Sequence, residues 1–369
     1  MIYVFYNNDP LAQGLGGGAE HFRCLHRALE GSGLPYRLVG SRLQRESREH
    51  VTYVSHGSSF LRFYLGLWAW FWRHRHEFRP DDVFHFHRNY AAWPKLLLSP
   101  RTGRVLISYH NVTGRVMEGM FGRLARPLRA LMLVLERRVA RLADAIVCVS
   151  GRDRRVLEET VASEPFRTAE VIPAAYDSAL FAASEIRPPA PELATRLLFL
   201  GRISHQKNAP LAIETLERLV AAGGDHTLTI AGAGEDAKQL IRRIARSPAR
   251  DRIEWVGEVP HDRVPALLAA HGILLLTSRY EASPTVVKEA LRAMRPVVST
   301  DVGDIADWLD PDHTGFICAA DPDALALGVE AAARLIRAGR YGADEDLDSL
   351  NEAAIMAQVL QLYQRLAAG

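Results

Sequence analysis

The residues richest in chemistry lie in one stretch, Ser278-Arg279-Tyr280-Glu281-Ala282-Ser283-Pro284-Thr285-Val286-Val287-Lys288-Glu289, directly after an apolar run at 273–276. Ser283 is a favoured helix N-cap and Pro284 a favoured first helical residue. The spacing predicts a helix from Pro284, with Thr285 in its first turn and its unpaired N–H groups open to an anion. Glu281 stands before the cap, and Glu289 lies between one and two turns beyond it. Two carboxylates so spaced around a bound diphosphate can hold hydroxyls on either side of it, one on a sugar and one on a ribose. Two solvated glutamates would fit the same string.

Four further segments each follow an apolar run. In Leu200-Gly201-Arg202-Ile203-Ser204-His205-Gln206-Lys207 a strand ends at Gly201, and two cations follow. Arg202 brings a planar fork and Lys207 a point charge, both suited to phosphate oxygens and to a diphosphate leaving group. A solvated loop would carry such charges too. Ile230-Ala231-Gly232-Ala233-Gly234-Glu235 is a strand followed by a tight glycine turn. Tyr109-His110-Asn111 ends another strand, where His110 can donate a hydrogen bond to a sugar hydroxyl or a phosphate. His85 and His87, on the preceding strand, read as packing residues; no carboxylate pair nearby in sequence makes them a metal site. Gly14-Leu15-Gly16-Gly17-Gly18-Ala19-Glu20 brings backbone N–H groups to a helix start, which favours phosphate. It also matches G-x-G-x-x-A, but its first glycine comes eight residues after Tyr6 and no acid follows the second strand, so the dinucleotide reading is weak.

The elements that must position these segments alternate between apolar runs and amphipathic stretches. Runs at 2–6, 36–39, 83–87, 105–109, 145–149 and 170–172 read as strands, with helices at 20–30 and 121–142 among them. A proline-rich linker, Ile186-Arg187-Pro188-Pro189-Ala190-Pro191, follows. The alternation then restarts with strands at 197–200, 227–231, 253–256, 272–276, 297–299 and 315–317, helices such as 210–222 and 264–270, and a last helix at 346–366. Such alternation predicts two α/β, doubly wound, Rossmann-like halves. Open parallel sheets bind ligands at the carboxyl ends of their strands, so the functional loops should face a central cleft. The expected division is 1–184, 185–345 and a C-terminal helix at 346–369.

With 369 residues, 48% hydrophobic and 24% charged, the chain reads as a soluble protein of about two domains. Cys24, Cys148 and Cys318 are far apart and form no C-x-x-C pair, which argues against a zinc site or a disulfide framework and for a reducing cytoplasm. The N-terminus lacks the basic region of a signal peptide. The greasiest stretch, 60–72, contains Arg62 and falls short of the roughly 20 residues a membrane span needs. Residues 1–185 hold 25 Lys/Arg against 18 Asp/Glu, a net of +7, and residues 186–369 hold 20 against 25, a net of −5. The basic first half predicts an anionic partner there. No nucleic-acid recognition motif accompanies the charge.

Taken in order, these segments resemble glycosyltransferase family 4, the retaining glycosyl transferases group 1 with the GT-B fold. Gly201-Arg202 with Lys207, and Glu281 with Glu289 in an E-x7-E arrangement, resemble its donor site. Gly16-Gly17-Gly18-Ala19-Glu20 resembles its N-terminal glycine loop and Tyr109-His110 its cleft histidine. Residues 143–150 and 296–303 resemble two further segments, so the likeness runs along most of the chain. The resemblance implies that Arg202 and Lys207 stabilise the diphosphate, that Glu289 binds the ribose, and that Glu281 contacts the donor sugar. Gly17, Gly18 and His110 would lie by the reacting sugar and acceptor. Gly201, Gly232, Ser283, Pro284 and Thr285 complete the donor set, and the last helix would cross back onto the first domain. No metal and no cofactor is implied; the nucleotide-sugar is a co-substrate. The chain departs from the pattern at Asn208, at Ala174-Ala175-Tyr176-Asp177 and at Asp304, the last beside the expected donor-sugar pocket.

The expected function is therefore transfer of a sugar from a UDP- or GDP-sugar to a saccharide or lipid-linked acceptor in polysaccharide or glycolipid assembly. Trp68, Trp70, Phe71, Trp72, Arg73 and Arg75, with Arg123, Arg126, Arg129, Arg137, Arg138 and Arg141, form basic amphipathic stretches that suit an anionic membrane interface. They equally suit a core face with solvated arginines. A cytoplasmic enzyme, peripheral on the inner face of the plasma membrane, is the corresponding location. The rival readings are a GT-B epimerase acting on a nucleotide-sugar, a non-catalytic binding partner that kept the fold, and an NAD-dependent enzyme reading the Gly14 loop.

Overall fold

A computed structural model of the chain describes residues 1–10, 17–42, 49–57, 59–110, 126–182, 186–341 and 351–369. Gly14, Leu15 and Gly16 of the glycine loop, Asn111, and the basic residue Arg123 lie outside the described residues. The chain forms two units, one of Met1–Ala175 with Ala353–Gly369 and the other of Tyr176–Glu352. The division falls ahead of the proline-rich linker because Tyr176 and Phe181 are already buried in the core of the second unit.

The first unit holds a parallel sheet of seven strands: β1 (Ile2–Phe5), β2 (Tyr36–Arg42), β3 (Val51–His56), β4 (Val83–Phe86), β5 (Arg104–Tyr109), β6 (Ala145–Cys148) and β7 (Glu170–Val171). Their spatial order is β3-β2-β1-β4-β5-β6-β7. The order reverses between β1 and β4, where open α/β sheets open a ligand crevice. Six of these strands are legible as apolar runs. The seventh, β3, is an edge strand whose residues are only partly buried, so Val51-Thr52-Tyr53-Val54-Ser55-His56 shows no clean apolar pattern.

Strand alternation sorts the side chains onto two faces. Phe5, Phe84 and Phe86 turn to one face, against Phe63, Leu67 and Phe71 of the helix Phe60–His74. Each such buried ring contributes roughly 2–3 kcal/mol. Val4, Val83 and Leu106 turn to the other face, against Phe22, Leu25 and Leu29 of the helix Gly17–Ser32. Ile355, Met356, Val359, Leu362 and Tyr363 of the C-terminal helix Glu352–Ala368 pack on that same face. The last helix is thus part of the first unit.

The second unit repeats the plan with six parallel strands: β8 (Arg196–Leu200), β9 (Thr227–Ala231), β10 (Ile253–Gly257), β11 (Ile273–Leu276), β12 (Val297–Thr300) and β13 (Gly315–Cys318). The order is β10-β9-β8-β11-β12-β13, with its reversal between β8 and β11. Leu197, Phe199, Ile273 and Leu275 enter one core, and Leu198, Leu274 and Leu276 the other. Among the described residues no helix is long and apolar enough to cross a membrane.

Candidate active site

The donor segments of the second unit meet at the carboxyl ends of β8, β9 and β11. The turn after β9 is pressed against the turn after β8, backbone on backbone. A Cβ on Gly232 would stand 1.9 Å from Gly201 O, and one on Gly234 2.3 Å from Ile203 O. Ile203 N donates to Ala233 O at 2.9 Å, and Asp236 N to Ile203 O at 3.1 Å. These glycines therefore hold the Gly201-Arg202 turn in place.

Lys207 follows on the same loop, and its stem runs beside Gly201, whose Cβ position is 3.7 Å from Lys207 Cδ. Asn208 takes the left-handed conformation, φ 55° and ψ 47°, and opens the helix Ala209–Ala221. An asparagine tolerates that turn nearly as well as glycine does. Thr277 and Arg279, on the loop after β11, bind Asn208: Thr277 Oγ1 donates to its carbonyl at 3.0 Å, and Arg279 Nη2 to its Oδ1 at 3.2 Å. The two loops so joined bring Lys207 Nζ to 2.6 Å from Glu281 Oε1, which also accepts from Ser278 Oγ at 2.7 Å. Arg202 is exposed, and no hydrogen bond or ion pair holds it among the described residues.

The helix after this loop spans Thr285–Arg292. It starts one residue later than the Ser283/Pro284 pattern predicts. Pro284 is the cap residue, extended at φ −71° and ψ 108°, and Ser283 does not cap. The physical reason is a competing partner: Lys288 Nζ donates to Ser283 Oγ at 3.2 Å. Lys288 is 1% exposed and Asp304 5% exposed. Burial pulls the Lys288 ammonium down to about 8 and pushes the Asp304 carboxyl up to about 7, each opposed by the charge of the other. The Asp304 departure is therefore accommodated by a buried lysine of the same site. Gly303, in the left-handed region at φ 58°, lies so close to Ala282 that a Cβ there would be 2.5 Å from Ala282 O. Glu289 is buried within the helix, and its Oε1 lies 3.2 Å from His261 Nε2. Lys288, Ser278 and His261 are missing from the sequence-derived set. A lysine inside an otherwise buried helix segment was the one available signal.

In the first unit, His110 follows β5 and is half-buried. Its Nε2 lies 2.8 Å from His87 Nδ1. Burial holds both imidazoles well below their ordinary pKa, with neighbouring histidines adding to the effect. His85 and His87 are more than packing. Period-two alternation points both to the face that carries the C-terminal helix, and His85 binds Tyr363 Oη at 2.6 Å and Ser108 Oγ at 2.7 Å. Gly17 and Gly18 open the helix Gly17–Ser32, with the Gly18 Cβ position 3.6 Å from Tyr6 Oη. The structure thus assembles Gly201, Arg202, Lys207, Gly232, Glu281, Ser283, Pro284, Thr285 and Glu289 in the second unit. It places Gly17, Gly18 and His110 in the first.

Comparison with known proteins places both halves of the chain in a family. A family model described as Glycosyltransferase Family 4 matches residues 15–180, and one described as Glycosyl transferases group 1 matches residues 185–336. A glycogen synthase of Mycobacterium tuberculosis is 29% identical over 302 residues, covering 78% of this chain and 70% of that one. A sucrose-phosphate synthase from Thermosynechococcus elongatus superposes with a TM-score of 0.78 at 21% identity, covering 100% of this chain and 99% of the other. HepE from Anabaena, in complex with UDP-glucose, superposes with a TM-score of 0.69 at 18% identity, covering 99% and 100% of the two chains. Matched in turn over both halves, the chain belongs to the glycosyl transferases group 1, glycosyltransferase family 4, and has the GT-B fold.

Proposed function

We propose that the chain is a retaining, metal-independent glycosyltransferase that moves a hexosyl group from a UDP- or GDP-sugar to a saccharide or lipid-linked acceptor. The observation that carries this reading is the joining of the loops after β8 and β11, which sets Lys207 against Glu281 ahead of the helix that starts at Thr285. A diphosphate at that helix start meets N–H groups and the positive end of the helix dipole. Lys207 and the exposed Arg202 neutralise the charge that develops as it leaves. Glu281 contacts the donor sugar, and Glu289 accepts from the ribose hydroxyls. Gly201 and Gly232 keep the backbone close enough for the nucleotide to approach.

In this reading the C1–O bond to the phosphate breaks while the bond from C1 to the acceptor oxygen forms on the same face. The acceptor proton passes to the departing phosphate oxygen. The protein supplies position and preorganised charge rather than a nucleophile. His110 donates a hydrogen bond to a substrate hydroxyl. The UDP-glucose held by HepE supports a uridine donor, and the mycobacterial glycogen synthase supports a glucan-type product. Assaying nucleotide-diphosphate release from a panel of UDP- and GDP-sugars, with and without saccharide acceptors, tests the reading. Release that requires an acceptor supports transfer; an epimerised sugar formed without one overturns it.

A membrane-bound acceptor has its own support. Phe60, Leu61, Leu65 and Trp72 on the helix Phe60–His74 are exposed, beside Arg73 and Arg75, and Arg75 lies over the Trp72 ring. Leu131 and Val134 are exposed on the helix Arg126–Leu142, which also carries Arg137, Arg138 and Arg141. The aromatic stretch is thus core along Phe63, Leu67 and Phe71, with Trp70 packed against that core, and exposed at Phe60, Leu61, Leu65 and Trp72. Co-sedimentation with phosphatidylglycerol vesicles but not phosphatidylcholine vesicles, lost in Trp72→Ala, is the expected outcome. Equal recovery from both vesicle types would remove this part of the reading.

A further inference from the structure

Four histidines from three elements of the first unit form one group. His87 and His110 share a hydrogen bond, the His85 ring lies tilted beside that of His87 with centroids 4.2 Å apart, and the His21 ring lies 5.4 Å from that of His110. We propose that His87 is a positioning residue that holds His110 in its Nδ1–H tautomer, so that His110 presents a neutral N–H donor to substrate. The inference rests on the reading of His110 as a substrate-contacting residue.

Both rings are neutral near pH 7, so one proton lies between His87 Nδ1 and His110 Nε2. Either ring can supply it. If His110 donated, the proton of His87 would sit on Nε2, which is buried and has no hydrogen-bond partner among the described residues. An orphaned buried N–H is the costlier defect. If His87 donates, its Nε2 is a bare ring nitrogen and no donor is stranded. His110 Nε2 then accepts, and its own proton lies on Nδ1, the nitrogen left to meet a ligand.

The neighbours are consistent with this order. His85 has a hydroxyl at each nitrogen and needs nothing from His87. His21 Nδ1 accepts from Ala175 N at 3.0 Å, which places the His21 proton on Nε2. Nitrogens of His21, His87 and His110 lie within 4.8 Å of one another, a spacing that invites a cation. Yet His21 Nδ1 already accepts from Ala175 N, so in this arrangement its lone pair is not offered to a cation.

Two-bond 1H–15N correlation spectra of the full-length, ligand-free protein labelled in histidine test the inference. His87→Leu and His110→Gln assign the signals. Both rings are expected to be neutral at pH 7.5 with the proton on Nδ1; protonation at Nε2, or a charged ring, overturns the inference. In His87→Leu the His110 ring should lose its fixed Nδ1–H form, and in His87→Asn, whose amide nitrogen replaces Nδ1, it should keep it. An unaltered His110 tautomer in His87→Leu contradicts the lock. Turnover should fall about tenfold in His87→Leu, the equivalent of one misdirected hydrogen bond, and recover in His87→Asn. Expected spectra with full turnover in His110→Gln would overturn the role of His110 and leave the lock without a catalytic purpose. Should His87→Leu fail to fold, the wild-type and His87→Asn spectra decide the matter.

Discussion

Lys207 Nζ and Glu281 Oε1 lie 2.6 Å apart although they stand 74 positions apart in the chain. The pair exists because β8 and β11 are neighbours in the sheet and because Thr277 and Arg279 bind Asn208. An incoming diphosphate would find the lysine already oriented, with a carboxylate beside it ready to turn to a sugar hydroxyl. Preorganisation of this kind spares the site any rearrangement as charge develops.

Lys207→Ala and Arg202→Ala should each lower turnover by roughly 10²-fold or more, as loss of a preorganised charge does. Lys207→Ala carries a second effect, because among the described residues it leaves Glu281 with Ser278 as its hydrogen-bond partner. Steady-state rates of nucleotide-diphosphate release check this, and wild-type rates in either variant would remove the residue from the mechanism.

Glu289→Ala should weaken nucleotide binding by about tenfold or more, the usual worth of a hydrogen bond to a charged group. The contact with His261 makes a second variant informative. His261→Ala leaves the carboxylate in place and should weaken binding less. Isothermal titration with the nucleoside diphosphate measures both, and unchanged affinity in Glu289→Ala would end its ribose role.

The alternation of strands and helices and the loops after β8, β9 and β11 were readable because both depend on local pattern: apolar runs at strand length, glycines at turns, cations and acids placed after them. β3 escaped because an edge strand leaves its side chains half exposed. The late start of the helix at Thr285 escaped for another reason. Ser283 has the local chemistry of a cap, but Lys288, five residues on, claims its hydroxyl. The bond of His87 to His110 has no local signal, because His110 follows the neighbouring strand β5. Long-range partners decided each of these cases.

Gly232→Ala should be strongly destabilising, by about 3 kcal/mol or more, since a backbone clash is among the mechanisms that produce large losses. The added Cβ would meet Gly201 O at 1.9 Å, which neither backbone can yield without moving the Arg202 turn. Chemical denaturation reads the loss directly. A variant as stable as the wild type would show that the β8 and β9 turns can separate freely.

Acid should destabilise the first unit through its buried histidines. Burial lowers His85 from 6.5 to about 3, so below pH 6.5 the unfolded chain takes up a proton that the folded chain refuses. The stability from this group is full above pH 6.5 and is lost as pH falls toward 3, at roughly 1 kcal/mol per pH unit. Urea midpoints at pH 7.5, 6.0 and 5.0 should therefore fall less steeply in His85→Gln than in the wild type. Parallel slopes would show that His85 titrates alike in both states.

The central claim, that the second unit is a nucleotide-diphosphate-sugar site working without a metal, is tested most directly by thermal unfolding in EDTA with UDP, GDP, ADP or NAD. A ligand at about 100 times its dissociation constant adds roughly 2.7 kcal/mol, a rise of a few degrees for a protein of this size. The account predicts a rise with UDP or GDP and none with NAD. A rise with NAD alone, or none with any of the four, would contradict it.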